Sequence, residues 1–262
     1  MANAEVRDFN EHFETILELG SRHGVEERLT MQLAQSLGSA GLIGNELIQR
    51  MIALGFQLHE NDRRTFEPYN HHLARVTLEL LDRFRVRDPE VVAAAPVHDT
   101  VEDHAKELAQ LVFEDVPDDE HIQREMAVKA LTILGTPNVA GYTLEVSNPL
   151  IADDTERIPS YTFHSERLVR YGTPGATVIK LADFFHNTET PPEENPQKRL
   201  RLDKKQVHVY GIHAAGLDRE DSLVPLELRP ATRRTLMARR SRALARLADS
   251  AYRLDESSLR SA

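Results

Sequence analysis

The heptapeptide Val97-His98-Asp99-Thr100-Val101-Glu102-Asp103 follows directly on a small apolar run, Val91-Val92-Ala93-Ala94-Ala95. The run belongs in a core, and it delivers the charged residues to the edge of that core. Unpaired charge in such a place is costly, so those residues need partners or a task. If the stretch is helical, His98 lies one turn from Glu102 and Asp99 one turn from Asp103. Groups able to bind metal or move protons then share one face. The plain alternative is a helical turn whose acids suit the N-terminal end of the helix dipole.

Other segments carry matching chemistry. A helix beginning at Asn45 carries Leu47, Ile48, Met51, Ile52, Leu54, Phe56 and Leu58 and ends near His59. After a polar loop containing Arg63 and Arg64, Tyr69-Asn70-His71-His72 opens a helix with Leu73, Val76, Leu78, Leu80 and Leu81. Order is read again in Pro174-Gly175-Ala176-Thr177-Val178-Ile179-Lys180-Leu181-Ala182-Asp183-Phe184-Phe185-His186-Asn187. A carboxylate in so apolar a helix requires a cation, which makes Asp183 the natural fourth partner of His72, His98 and Asp99.

The chain has no cysteine, so any metal must be held by imidazole and carboxylate. Two imidazoles with two carboxylates suit Mn²⁺, Fe²⁺, Mg²⁺ or Zn²⁺. Open coordination positions would acidify water and polarise a phosphoryl group.

The apolar periodicity around each motif predicts an all-α fold without a substantial sheet. Residues 1–45 read as two or three short helices forming an N-terminal cap, 46–220 as the metal-bearing domain, and 221–262 as a C-terminal basic amphipathic helix packed on it. Residues 137–172, rich in Asn, Pro, Asp, Ser and Thr, read as a long loop of the lid type. The acidic stretch 114–120 reads as a solvated turn.

A net charge of −10 opposes a broad nucleic-acid surface. No apolar run approaches the roughly 18–20 residues of a membrane span, and the N-terminus lacks a signal-peptide pattern. The expectation is a cytoplasmic protein that binds neither nucleic acid nor membrane and takes a small anionic ligand in a locally positive pocket. Self-association into a homo-oligomer is compatible with it.

The order His72, His98-Asp99, Asp183 is the signature of the HD phosphohydrolase superfamily. Pro68-Tyr69-Asn70-His71-His72 resembles the PYxxH segment of RelA/SpoT-type alarmone hydrolase domains. His98-Asp99-Thr100-Val101-Glu102-Asp103 matches that family's HDTVED motif at every position, and Lys180-Leu181-Ala182-Asp183-Phe184-Phe185-His186-Asn187 resembles its KLADxxHN motif. Leu144-Glu145-Val146-Ser147 sits where the family has a short (L/V)xEVT-like element. The Gly175-Ala176 lead-in and Tyr210-Gly211-Ile212-His213-Ala214-Ala215 look closest to the small stand-alone hydrolases that lack a synthetase domain. The resemblance covers about Asn45 to Leu217.

By this resemblance the metal is Mn²⁺, other divalent ions being alternatives, and its ligands are His72, His98, Asp99 and Asp183. The substrates are ppGpp and pppGpp, cleaved to pyrophosphate and GDP or GTP, as in the stringent response. Glu102 and Asp103 match the pair that orients water and handles protons. Asn187 and Thr190 match nucleotide contacts, Tyr210 a wall for base or ribose, and either Arg63 or Arg64 the arginine that precedes PYxxH.

Departures from the pattern are Leu73 for the usual proline, a competing imidazole at His71, Pro96-Val97 for an aliphatic pair, and Phe184 for a basic residue. Pro96 is expected to kink the chain just ahead of the ligands. Three readings follow. They are an alarmone pyrophosphohydrolase, a phosphohydrolase of another nucleotide such as ppApp or the 2′-phosphate of NADPH, and a non-catalytic HD module that binds alarmone or a partner.

Overall fold

The computed structural model describes residues 2–64, 67–151, 156–189 and 195–260. Among them every regular element is helical, and the single β-type pairing, Arg63 with Pro68, is an isolated bridge. The helices are α1 (Ala2–Arg22), α2 (Glu27–Ser39), α3 (Glu46–Leu58), α4 (Tyr69–Leu78), α5 (Pro89–Ala94), α6 (Thr100–Asp103) and α7 (Ala105–Gln110). They continue with α8 (Glu120–Leu134), α9 (Pro137–Val146), α10 (Arg157–Tyr171), α11 (Pro174–Glu189), α12 (Pro196–Gln206), α13 (Val209–Gly216) and α14 (Arg229–Arg260). A π turn extends α4 over Glu79–Arg83, and a 3₁₀ turn follows α5 over Ala95–Val97. No helix among the described residues is long and apolar enough to cross a membrane.

The chain forms two compact units: residues 1–147 with 173–186, and residues 148–172 with 187–262. In the first, α1 packs on α2, α2 on α4, and α3 on both α5 and the 3₁₀ turn. Its core holds Ile48, Met51, Ile52, Phe56, Leu73, Val76, Val92, Val97, Phe184 and Phe185, all almost without solvent exposure. In the second, α14 packs on α12 and α13, and α13 on α10. There the arginines of α14 are engaged by the unit itself. Arg246 donates twice to the buried Asp203, both at 2.7 Å, and Arg240 donates to the carbonyl of Val207.

Helix starts follow short polar side chains. Asn45 accepts from the amide of Ile48 at 3.1 Å, and Asp88 accepts from Glu90 and Val91 ahead of a first-turn proline. The same device corrects the reading of residues 137–172 as an irregular loop. Thr136 caps α9 by accepting from Val139, with Pro137 in the first turn, and α10 fills Arg157–Tyr171. The turn-forming residues that suggested a loop are in part the caps of helices. Likewise Asp119, in the acidic stretch read as a solvated turn, accepts from Ile122 and starts α8. Residues 1–45 hold one long helix and one of ordinary length rather than several short ones.

Candidate metal centre

Three pieces of the first unit converge. The first is the start of α4. Pro68 precedes it, and the buried Asn70 donates to the carbonyls of His23 and Phe56, both at 3.0 Å, tying the first turn to the preceding helices. With Leu73 and Val76 buried on the same helix, His72 is carried inward and is 1% exposed.

The second piece is the turn around His98. Pro96 lacks an amide, so α5 gives way to the 3₁₀ turn and α resumes only at Thr100. The amides of Glu102 and Asp103 both reach the carbonyl of Asp99, at 3.0 and 2.9 Å. The expected one-turn relation of Asp99 and Asp103 therefore holds, whereas His98 stands ahead of the helix rather than on it. Its Nδ1 donates to the carbonyl of Ala95 at 2.8 Å, which leaves Nε2 with a lone pair.

The third piece is α11. Glu145 accepts from the amide and hydroxyl of Thr173, at 2.7 and 3.1 Å, and so holds the residue just before that helix. Gly175 lets it approach closely, since a Cβ there would lie 2.8 Å from the ring of Tyr142.

His72 Nε2 lies 3.4 Å from Asp183 Oδ1 and 3.7 Å from Asp99 Oδ2; His98 Nε2 lies 2.9 Å from Asp99 Oδ2 and 3.8 Å from Asp183 Oδ1. Ligand bonds of about 2.1 Å at right or tetrahedral angles place neighbouring donors roughly 3.0–3.4 Å apart. The 3.4 Å pair falls in that range, the 2.9 Å pair just below it, and the 3.7 and 3.8 Å pairs would have to close by a few tenths of an ångström around one cation. His98 Nε2 is buried and faces the carboxylates of Asp99 and Asp183. His72, His98 and Asp99 form a group that could hold a metal ion, and Asp183 Oδ1 lies 3.4 Å from His72 Nε2.

The charge balance agrees. Burial alone would raise Asp99 and Asp183, yet both are held well below the usual carboxylate range. Asp99 is held there by His98 and His72, and Asp183 by Lys180 and the same histidines. Burial likewise opposes charge on His98, but Asp99 and Asp183 outweigh it and raise the imidazole to about 10. Two buried anions thus favour the protonated imidazole.

His71, the competing imidazole, points elsewhere. It accepts from the amide of Glu26 at 3.2 Å and stands 3.5 Å from Glu67. Asp103 is exposed as a residue, yet desolvation by the surrounding protein, then Asp99 and Glu102, push its carboxyl up to about 7. Glu102, beside it on the single turn of α6, is half-buried.

Of the two arginines, Arg63 is exposed, whereas Arg64 sits 5.7 Å from the centroid of the Tyr69 ring. The charge of Arg64 is felt at His186. Asn187 and Tyr210 belong to the second unit. There Asn187 is half-buried, and Tyr210 is buried with its oxygen hydrogen-bonded to Thr188, to which Arg239 donates at 2.7 Å. Thr190 lies outside the described residues.

Two residues escaped the sequence reading of the centre. The hydroxyl of Tyr69 donates to Asp99 Oδ2 at 2.5 Å, and burial followed by Asp99 raises its pKa, so the proton stays on the phenol. His186 Nδ1 is 2.7 Å from His72 Nδ1, and burial, reinforced by His72, lowers it to about 2. A neutral His186 accepts from His72 Nδ1 when His72 presents Nε2 as a ligand. Both residues stand inside the quoted motifs, where one-turn spacing from Asp183 or His72 was the available signal.

What fold and centre define is an all-α chain with a buried imidazole–carboxylate group competent for a metal ion. Comparison with protein-family models, curated proteins and solved structures finds no match to it.

Proposed function

We propose that the chain is an HD-type metal-dependent phosphohydrolase that removes the 3′-diphosphate of ppGpp and pppGpp, with Mn²⁺ as its metal. The observation that carries the reading is the buried group His72, His98, Asp99 and Asp183, with Glu102 and Asp103 one step further along the same turn. A pure binding module has no need of an acid pair beside a metal group.

A divalent ion in the group would supply Lewis acidity toward the phosphoryl oxygens and acidify water. The chain's own side chains do the rest. Asp103, with a carboxyl near pH 7, is poised to take a proton from the attacking water and return one to the departing ribose 3′-oxygen. Glu102 orients the water. Tyr69 and His186 hold Asp99 and His72 in fixed rotamers by hydrogen bonds made from outside the metal group. Arg64, rather than Arg63, faces the phosphates, because it is the one whose charge is felt at His186, beside the ligand His72. Asn187, Thr190 and Tyr210 remain candidates for nucleotide contact on the strength of the motif resemblance.

The test is a panel of ppGpp, pppGpp, ppApp and NADPH incubated with Mn²⁺-loaded protein, with products separated by chromatography. Pyrophosphate with GDP from ppGpp is expected. Phosphate release from NADPH, with ppGpp untouched, would replace the substrate and keep the enzyme class. Retention of ppGpp without turnover by fully loaded protein would sink the hydrolase and favour the binding module.

A further inference from the structure

A second cluster of metal-ligating side chains stands in the first unit. His59 is the residue that ends α3, Asp62 lies in the following loop, and His104 joins α6 to α7. Asp62 Oδ2 is 2.8 Å from His59 Nδ1 and 2.6 Å from His104 Nε2. The two imidazole rings meet edge to face with centroids 4.4 Å apart. One ligand atom from each of the three residues falls within 4.8 Å of the others.

We propose that His59, Asp62 and His104 form a second cation site, selective for borderline divalent ions of the Zn²⁺ and Co²⁺ type. It does not rest on the phosphohydrolase reading. Two imidazoles and one carboxylate with an open position are a common donor set for such ions. Backbone hydrogen bonds fix where the donors start. The amide of Asp62 reaches the carbonyl of His59 at 3.1 Å, its carbonyl accepts from Tyr69 at 3.0 Å, and the amide of His104 reaches Thr100 at 3.0 Å.

The Tyr69 ring stacks on His59 with centroids 4.6 Å apart. Since the hydroxyl of that same tyrosine is bonded to Asp99, the aromatic ring stands between the two groups and keeps them separate sites.

Exposure is graded as a site with an open position requires. His59 is wholly buried, the His104 side chain is 16% exposed, and that of Asp62 is 36% exposed. Glu107 Oε2 lies 4.0 Å from His104 Nδ1, beyond hydrogen-bond reach. The donors must open by a few tenths of an ångström to reach the roughly 3.0–3.4 Å spacing around a cation. The partly exposed Asp62 side chain has room to turn.

The full-length protein, stripped of metal, is titrated with Co²⁺, followed by visible absorption and by metal content after desalting. Wild type is expected to hold two equivalents. Asp62→Asn and His104→Gln change partly exposed side chains, and helical circular dichroism checks their fold. Each should hold one, the lost site weakened more than the roughly 10–100-fold typical of outer-shell changes. His98→Asn should also hold one, and the Asp62→Asn/His98→Asn pair none. Wild-type stoichiometry in both Asp62→Asn and His104→Gln, or no bound Co²⁺ in wild type, overturns the proposal. Loss of the His98-dependent equivalent alone would strike the phosphohydrolase centre and leave the second site standing.

Discussion

Replacing Gly55 with alanine tests whether the packing of α3 sets the geometry of the metal centre. Gly55 is buried where α3 crosses the 3₁₀ turn, and a Cβ on it would stand 2.0 Å from the carbonyl oxygen of Pro96. The atom met is backbone, so no side chain can rotate aside. The turn or the helix must shift by at least about 1 Å to restore an ordinary contact. Overpacking of this kind costs about 1–3 kcal/mol, against which the helix preference for alanine returns about 1 kcal/mol. The net is about 0–2 kcal/mol, and at about 2–4 °C per kcal/mol for a domain of this size the melting temperature of metal-free protein should fall by up to about 8 °C. The shift also reaches the ligands. His98 is tethered through Nδ1 to the carbonyl of Ala95, so its imidazole moves with the turn. A misplacement of about 1 Å can cost on the order of 100-fold in function, and metal affinity should weaken by about 10–100-fold. Titration calorimetry with Mn²⁺, alongside thermal unfolding, measures both effects. Wild-type affinity in a Gly55→Ala protein would refute the claim that this crossing positions His98.

Three further outcomes are expected. His72→Ala should abolish metal binding at the centre, read by metal content. His71→Ala should keep the metal while losing about 1–3 kcal/mol in denaturant unfolding, because it removes the buried acceptor of the Glu26 amide. Glu102→Gln and Asp103→Asn should retain Mn²⁺ yet release pyrophosphate about 10²–10⁴-fold more slowly; residual rates that simply track metal content would mean a structural role instead. Metal-free protein should lose stability as pH falls from about 6.5 toward 4. His59 and His186 are depressed to about 4 and about 2 in the folded state, so unfolding takes up their protons, at about 1.4 kcal/mol per pH unit for each net proton. Asp103, raised to about 7, and His98, raised to about 10, work in the opposite sense and offset part of the slope, His98 only near pH 6.5. Denaturant midpoints across that range that stay level or rise with acid would contradict these assignments.

Local pattern carried much of this protein. Apolar residues at helical spacing made α3, α4 and α11 legible, and Asn45 and Pro96 marked a start and a break that the structure places at the same residues. His98, Asp99 and Asp183 stood out because each is a polar group beside an apolar stretch, where burial requires a partner, and His72 because the motif resemblance set it with them. Residues 137–172 were misread because Asn, Thr and Pro serve loops and helix caps alike. Which role they take depends on whether the next helix has a face to bury. The motif resemblance preferred His72 to His71, and the tertiary structure shows what lies opposite each: the Glu26 amide for His71, Asp99 and Asp183 for His72. Tertiary structure alone turned Arg64 toward Tyr69 and left Arg63 in solvent. It alone brought His104 to Asp62 across forty-two residues of chain, because no sequence periodicity reports a contact between segments joined only by packing.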